Sequence, residues 1–148
     1  MGLLKRLFGA GPETSQYSER RVGAECKRTV AVVGEFYRAG VAQLVRRIEC
    51  DEVTALLVPE PTNRHDPNAV KVLILGEHVG YLSRKHALDY QPALQLAAQH
   101  GEVLAVRANA HKYGSGEYER HEVVMYLPTM KSLMRELEAA YASDVGPA

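Results

Sequence analysis

The sequence is short of cysteine and of long apolar runs, and it contains no tryptophan. Its two cysteines, Cys26 and Cys50, show no C-x-x-C spacing and are too few to form a metal knuckle alone. We therefore expect free thiols in a reducing, cytoplasmic compartment. No run of about 18 apolar residues is present, which predicts that no helix spans a membrane. The apolar run Leu3–Phe8 is interrupted by a basic pair, so we do not expect a secretory signal there.

The chain also lacks an excess of charge of either sign, since 18 basic residues balance 18 acidic ones. Residues 1–47 carry nine Lys/Arg against four Asp/Glu, and residues 48–148 carry nine against fourteen. This asymmetry predicts either one basic face or simply a well-solvated surface. A protein that binds duplex DNA without sequence preference would need more cationic surface than this. With 46% apolar and 24% charged residues, the composition fits one soluble globular domain.

The most informative stretch is the segment from Glu60 to Leu82. It begins with residues that favour turns, namely Pro61, Asn63, Asp66, Pro67 and Asn68. The β-branched run Ala69–Leu75 then predicts a buried strand, Gly76-Glu77 a tight turn, and His78–Leu82 a returning strand. We therefore expect a loop held rigidly on the shoulder of a β-hairpin, a usual position for binding residues.

The rest of the chain predicts four more strands and several helices. The strands are Cys26–Val33, Val53–Val58, Val103–Ala110 and His121–Leu127. A short helix is expected within Arg38–Ile48, a second after Ser83 with a restart at Pro92 and a stop at Gly101, and an amphipathic one after Thr129 with Met130, Leu133, Met134, Leu137 and Tyr141 on one side.

The fold class that follows is mostly β (α+β). We expect a small, partly closed six-stranded β-barrel with one or two intervening helices and a C-terminal helix. The predicted domain boundaries are a flexible tail over 1–24, the barrel over 25–128, and the C-terminal helix and tail over 129–148.

Three motifs resemble a known family. EP-x-N-x-x-DPNAVKV followed by VGYL, together with VVGEFY upstream at Val32–Tyr37, is similar to the HIRAN domain over about Cys26 to Leu127. The resemblance implies an OB-like barrel without catalytic activity or cofactor, which binds single-stranded DNA, above all a free 3′ end, beside the loop. Such domains are attached to DNA-remodelling ATPases or stand alone in short bacterial proteins. A DNA-processing ATPase is therefore the protein partner that the resemblance implies.

The resemblance also implies roles for single residues. Tyr37 would stack on a base, Asp66 would accept a hydrogen bond from the 3′ hydroxyl, and Arg84, with Lys85 beside it, would meet a phosphate. Each has a plainer alternative: Tyr37 as a core aromatic, Asp66 as the first residue of an Asx-turn, and the two cations as solvated charges.

The sequence departs from the family pattern at two positions. His65 stands where animal members tend to have a stacking tyrosine, and Phe36 where they have an arginine that binds phosphate. Histidine can stack as well, and Arg38 or Arg64 could replace the missing arginine.

The sequence also predicts positions for Tyr81 and for two asparagines of the loop. Tyr81 either lines the pocket or packs inside; in a strictly alternating strand it shares a face with Val79, which favours the core. Asn63 and Asn68 are expected to shape the loop rather than touch a ligand.

Two other functions stay open. The first is a protein-interaction adaptor that docks a partner through the terminal helices, with Leu133 and Leu137 in the contact. The second is a metal-dependent hydrolase built from His65, Asp66, His111 and His121, although these residues lack ligand spacing. The sequence contains no G-x-x-x-x-G-K-[ST], G-x-G-x-x-G, H-E-x-x-H or G-x-S-x-G motif.

Overall fold

The computed structural model describes residues 18–33, 41–48, 52–118 and 120–145. Within these ranges the strands are β1 (Ser18–Arg21), β2 (Thr29–Ala31), β3 (Glu52–Pro59), β4 (Val70–Ile74), β5 (Glu77–Tyr81), β6 (Glu102–Tyr113) and β7 (Arg120–Tyr126). The helices are α1 (Val41–Ile48), α2 (Arg84–Asp89), α3 (Gln91–Gln99) and α4 (Met130–Val145), and a short 3₁₀ turn spans Gly116–Tyr118. None of the helices in these ranges has the length and apolar character that a membrane crossing requires.

Six strands form a ring. They follow the order β2-β7-β6-β3-β4-β5, with antiparallel pairing at every step. Val33, two residues after β2, then pairs with Tyr81 at the end of β5 through two backbone hydrogen bonds of 2.8 Å. Because this pair joins the two ends of the sheet, the sheet is a partly closed six-stranded barrel. The predicted fold class is confirmed.

Apolar side chains fill both faces of the central strands. Alternate residues of β3, Ala55 and Leu57, belong to the main core, which also contains residues of all four helices. Leu56 and Val58 belong to a smaller cluster on the opposite face, with Leu73 of β4. Burial on both faces explains why these strands read as continuous apolar runs rather than as alternating patterns.

A strand lies inside the segment that was predicted as a tail. Residues Ser18–Arg21 form β1 and pair in parallel with the first residues of β6, and Val22 is only 2% exposed in the main core. The prediction of a flexible tail up to residue 24 is therefore wrong for residues 18–24. None of the four residues of β1 is fully buried. The strand therefore needs no apolar side chains, and its polar sequence SERR has no apolar period.

The helices agree with their sequence signals. The Ser83 hydroxyl accepts a hydrogen bond from the amide of His86 and caps α2, α3 carries Pro92 in its first turn, and Gly101 follows α3 with a φ of 71°. In α4, Leu133, Leu137 and Tyr141 are buried in the main core. Leu133 and Leu137 are therefore not available to a partner, which corrects the adaptor hypothesis in that respect.

A polar cluster joins α4 to the start of the sheet. Arg20 donates two hydrogen bonds to Glu102, at 2.9 and 3.1 Å, and the Tyr141 hydroxyl donates to the same carboxylate at 2.7 Å. His100 stacks on the Tyr141 ring at 3.7 Å. Burial alone would raise the pKa of Glu102, but the hydrogen bonds from Arg20 and Tyr141 and the charges of Arg20 and His100 together lower it. Burial and the Glu102 carboxylate raise the pKa of Tyr141 to about 12.

The sequence predicted a turn at Gly76-Glu77. In the structure the turn between β4 and β5 is Leu75-Gly76, one residue earlier. Both residues have positive φ, 52° and 79°, as in a type I′ hairpin turn, where Asn-Gly is preferred. We predict that Leu75→Asn raises the free energy of unfolding by about 1 kcal/mol, because a leucine in the left-handed region is strained. Leu75 is 63% exposed, so little burial is lost. Urea denaturation measures the change.

The control for this substitution is Leu88→Asn. Leu88 is 60% exposed but lies within α2, without a positive φ. We expect no gain in stability there, and an equal gain at both positions would contradict the turn-strain explanation.

The two perturbed pKa values predict how stability depends on pH. Glu102 has a lowered pKa in the fold, so its contribution is complete above its ordinary value of 4.5 and is lost as the pH falls through the lower, folded value. Tyr141 has a raised pKa, so its contribution is complete below 10 and is lost as the pH rises from 10 to about 12. Urea titrations across pH should show both losses. Glu102→Gln should reduce the loss of unfolding free energy at acid pH, and Tyr141→Phe should reduce the loss at alkaline pH. If both variants kept the pH dependence of the wild-type protein, these assignments would be contradicted.

Candidate nucleic-acid interface

The loop between β3 and β4 is tied together by its own side chains. The Asn63 carboxamide oxygen accepts hydrogen bonds from the amides of His65, at 2.8 Å, and Asp66, at 3.0 Å. Asp66 Oδ1 in turn accepts from the amide of Asn68 at 2.9 Å, which is an Asx-turn. The carbonyl of Asn68 is bound by the side chain of Gln91 at the start of α3. The prediction that the asparagines shape the loop therefore agrees with these contacts.

Tyr81 reaches the surface because of an irregularity in the hairpin. Lys71 and Val72 pair with Tyr81 and Gly80, whereas Leu73 pairs with His78, so Val79 is an extra residue in β5. Such a bulge breaks the alternation of side chains. Val79 is completely buried, while Tyr81 is only partly buried and lines a cleft. The core interpretation, which depended on strict alternation, is therefore wrong.

The ring of Tyr81 is held from two sides. His78 packs edge-on against it, with ring centres 4.8 Å apart and an interplanar angle of 76°. The Tyr81 hydroxyl donates to Glu60 Oε1 at 3.2 Å. The ring therefore has a defined orientation in the wall of the cleft.

The cleft beside the loop has a volume of about 580 Å³. Three of the predicted site residues line it together with Tyr81. The described residues of its wall are Val33, Asn63, His65, Asp66, Ala69, Tyr81, Leu82 and Arg84. An apolar floor with a few polar groups at its rim is the usual form of a ligand site.

The polar groups of the wall are a carboxylate, an imidazole and a guanidinium. Of the two carboxylate oxygens of Asp66, Oδ1 has a hydrogen-bond partner among the described residues and Oδ2 has none there. Oδ2 therefore remains able to accept from a ligand. Arg84 donates one hydrogen bond, at 3.3 Å, to the carbonyl oxygen of His65, and its side chain is exposed. The site thus contains an acceptor for a hydroxyl and a donor for an anion.

The other predicted site residues do not belong to the described wall. Lys85 lies next to Arg84, but its side chain is 81% exposed and pairs with Asp89 at 2.9 Å. Arg64 is exposed in the loop and does not line the cleft. Tyr37, Arg38 and Phe36 lie outside the described residues, in the segment that follows Val33.

A second cleft, of about 490 Å³, lies between residues 23–28 and the start of α4. Two of the charged groups that line it, Glu136 and Arg28, are engaged in holding the fold. Both oxygens of Glu136 accept from the amide of Gly23 at 3.1 Å, and Arg28 donates to the Tyr90 hydroxyl and to the carbonyl of Pro128. For this reason the cleft beside the loop is the better candidate site.

The metal site considered from the sequence has no counterpart in the part of the chain that the structure describes. No group of three or more His, Cys, Asp or Glu side chains comes together there. The side chain of His121 is not described.

Comparison with known proteins identifies the domain. A family model described as the HIRAN domain matches residues 29–137, well over half of the chain. The chain belongs to the HIRAN domain family. The HIRAN domain is a binding module of DNA-associated proteins rather than a catalytic one, so the chain contains a nucleic-acid-binding module.

One solved structure is similar to this HIRAN domain. It is the crystal structure of the HIRAN domain of human HLTF, which is 21% identical in sequence. The match covers 76% of this chain and 86% of that chain, with a TM-score of 0.42. No curated protein matches the chain significantly in sequence.

One residue of this HIRAN domain site was not singled out from the sequence. Glu60, the residue after β3, accepts hydrogen bonds from Asn63 and Tyr81 and pairs with Lys71. Glu60 opens the EP-x-N-x-x-DPNAVKV motif, but the motif does not indicate what its side chain contacts. The long-range contact with Tyr81 could not be inferred from spacing.

Proposed function

We propose that this HIRAN domain binds single-stranded DNA at a 3′-hydroxyl end, in the cleft beside the β3–β4 loop. The observation that carries the proposal is that Asp66, His65 and Arg84 line the same cleft. Asp66 Oδ2 accepts the hydrogen bond of the terminal hydroxyl, and Arg84 binds a phosphate near the end. His65 is exposed at the rim and stacks on a base.

Two further residues complete the proposed site. Tyr37, four residues along the chain from Val33, stacks on a second base, and Arg38 adds a phosphate contact. Tyr81 lines the cleft as an apolar wall with its hydroxyl bound to Glu60. Lys85 and Arg64, which are exposed outside the described wall, contribute general attraction to the strand rather than a fixed contact.

The protein partner that we propose is a DNA-processing ATPase, to which domains of this family are attached, and the proposed location is cytoplasmic. In this arrangement the HIRAN domain delivers the attached enzyme to a DNA end. The domain itself carries out no reaction.

The test of end recognition compares oligonucleotides that differ only at the 3′ terminus. We expect wild-type protein to prefer a 3′ hydroxyl to a 3′ phosphate, because a phosphate meets the Asp66 carboxylate. Asp66→Asn keeps the acceptor for the Asn68 amide but loses the charge, and should weaken 3′-hydroxyl binding about tenfold, as expected for loss of a charge-assisted hydrogen bond. Fluorescence anisotropy measures both affinities.

Asp89→Asn is the matched control, since Asp89 is an exposed acidic residue in α2 outside the cleft. It should leave the ratio of the two affinities unchanged, because any effect on its partner Lys85 applies to both oligonucleotides alike. If the wild-type protein bound the two termini equally well, end recognition would be excluded, leaving general strand binding at most.

The phosphate contact has its own test in the salt dependence of binding. Each phosphate contact to a single strand contributes about 0.7 to the slope of log K against log salt. We predict that Arg84→Gln lowers the slope by about this amount and weakens binding to all sequences alike. Lys85→Gln changes the neighbouring cation, which pairs with Asp89, and should change the slope by less. Equal effects at both positions would mean that Arg84 makes no specific contact.

A further inference from the structure

The carboxylate of Glu60 connects three separate parts of the site. Its Oε1 accepts from the Asn63 side-chain amide at 2.6 Å and from the Tyr81 hydroxyl at 3.2 Å. Its Oε2 lies 3.6 Å from Nζ of Lys71 in β4. The side chain of Glu60 is 24% exposed, and it is not among the described residues that line the cleft. Both oxygens are thus used within the protein.

Lys71 gives this carboxylate a reason to stay in place. Lys71 is the one charged residue that is buried among the residues that the structure describes. Its burial lowers its pKa. A buried charge is costly unless it is paired. Because Glu60 supplies a negative charge from the loop side, the pair fixes the base of the loop against the hairpin.

The contacts continue from Glu60 to the groups that would meet a ligand. Asn63, held by Glu60, binds the amides of His65 and Asp66 with its own oxygen. Tyr81, held by the same Glu60 oxygen, forms another part of the wall. One carboxylate is therefore hydrogen-bonded both to the side chain that binds the Asp66 amide and to the Tyr81 hydroxyl.

We infer that Glu60 is a positioning residue that determines the selectivity of the cleft for a 3′-hydroxyl end without touching the strand. The inference rests on the proposed function, since selectivity has meaning only if the cleft binds an end. The effect on selectivity comes from hydrogen bonding, because Asn63 and Tyr81 both donate to one oxygen. The charge of Glu60 pairs with Lys71 through the other oxygen and contributes to stability.

The experiment compares Glu60→Ala with Glu60→Gln. The carboxamide oxygen of glutamine can still accept from Asn63 and Tyr81, whereas alanine accepts from neither. We expect Glu60→Ala to weaken binding of a 3′-hydroxyl oligonucleotide about tenfold and to bring its preference over a 3′-phosphate oligonucleotide close to one. Glu60→Gln should keep most of that preference. Fluorescence anisotropy gives both affinities, and the ratio responds to positioning in a way that general destabilisation does not.

The matched control is Glu102→Ala. It also removes a partly buried carboxylate that accepts from an arginine and a tyrosine, but Glu102, Arg20 and Tyr141 are not among the described residues that line the cleft. We expect a lower melting temperature with an unchanged preference. If Glu102→Ala abolished the preference as Glu60→Ala does, the effect would be one of stability and the inference would fail.

A measurement without DNA separates this inference from the proposed function. In Glu60→Ala the amides of His65 and Asp66 should exchange with solvent faster, because Asn63 is no longer held. If wild-type protein prefers the 3′ hydroxyl and Glu60→Ala keeps that preference, the role of Glu60 is overturned while the proposed function stands. If the wild-type protein shows no preference, the proposed function fails and the selectivity role fails with it. Amide exchange then shows whether Glu60 still orders the loop.

Discussion

The pair of backbone hydrogen bonds between Val33 and Tyr81 is the contact on which the arrangement of this domain depends. It joins the chain just after β2 to the end of β5, and so converts an open sheet into a partly closed barrel. The same pair brings Val33 and Tyr81 into one wall, next to the β3–β4 loop. The cleft therefore lies at the seam of the barrel.

At this seam the loop is ordered by polar contacts rather than by apolar packing. Asn63, Asp66 and Asn68 bind one another and the backbone within six residues, and Glu60 and Gln91 attach the loop to its neighbours. Each such hydrogen bond contributes about 1 kcal/mol, but a closed set fixes one conformation. A site that is formed before the ligand arrives loses less conformational entropy on binding. The Asx-turn and the proposed binding role of Asp66 are compatible, because they use different oxygens.

What the sequence predicted and what it did not can be explained by the range of the interactions involved. The hairpin, the Ser83 cap, the restart at Pro92 and the buried face of α4 follow from local residues, and each is present. The parallel strand Ser18–Arg21 and the Val33–Tyr81 pair depend on partners more than 40 residues away, so no local pattern contains them. The bulge at Val79 likewise leaves no mark in the sequence, yet it decides that Tyr81 lines the cleft. Asp66 was singled out because it lies in the EP-x-N-x-x-DPNAVKV motif, and Arg84 because it follows VGYL. Glu60 opens the same motif, but its contacts with Tyr81 and Lys71 reach across the fold and leave no local pattern.

The balance of charge also bears on which part of a strand this domain would bind. A groove that follows a strand over many nucleotides needs a row of cations, and a chain with 18 basic and 18 acidic residues has no excess for one. In the described wall of the cleft, one guanidinium accompanies one carboxylate. For a continuing strand, the next phosphodiester would approach Asp66 and be repelled, whereas a terminal hydroxyl would donate to it. These charges therefore support the proposal that the domain binds the end of a strand rather than its middle.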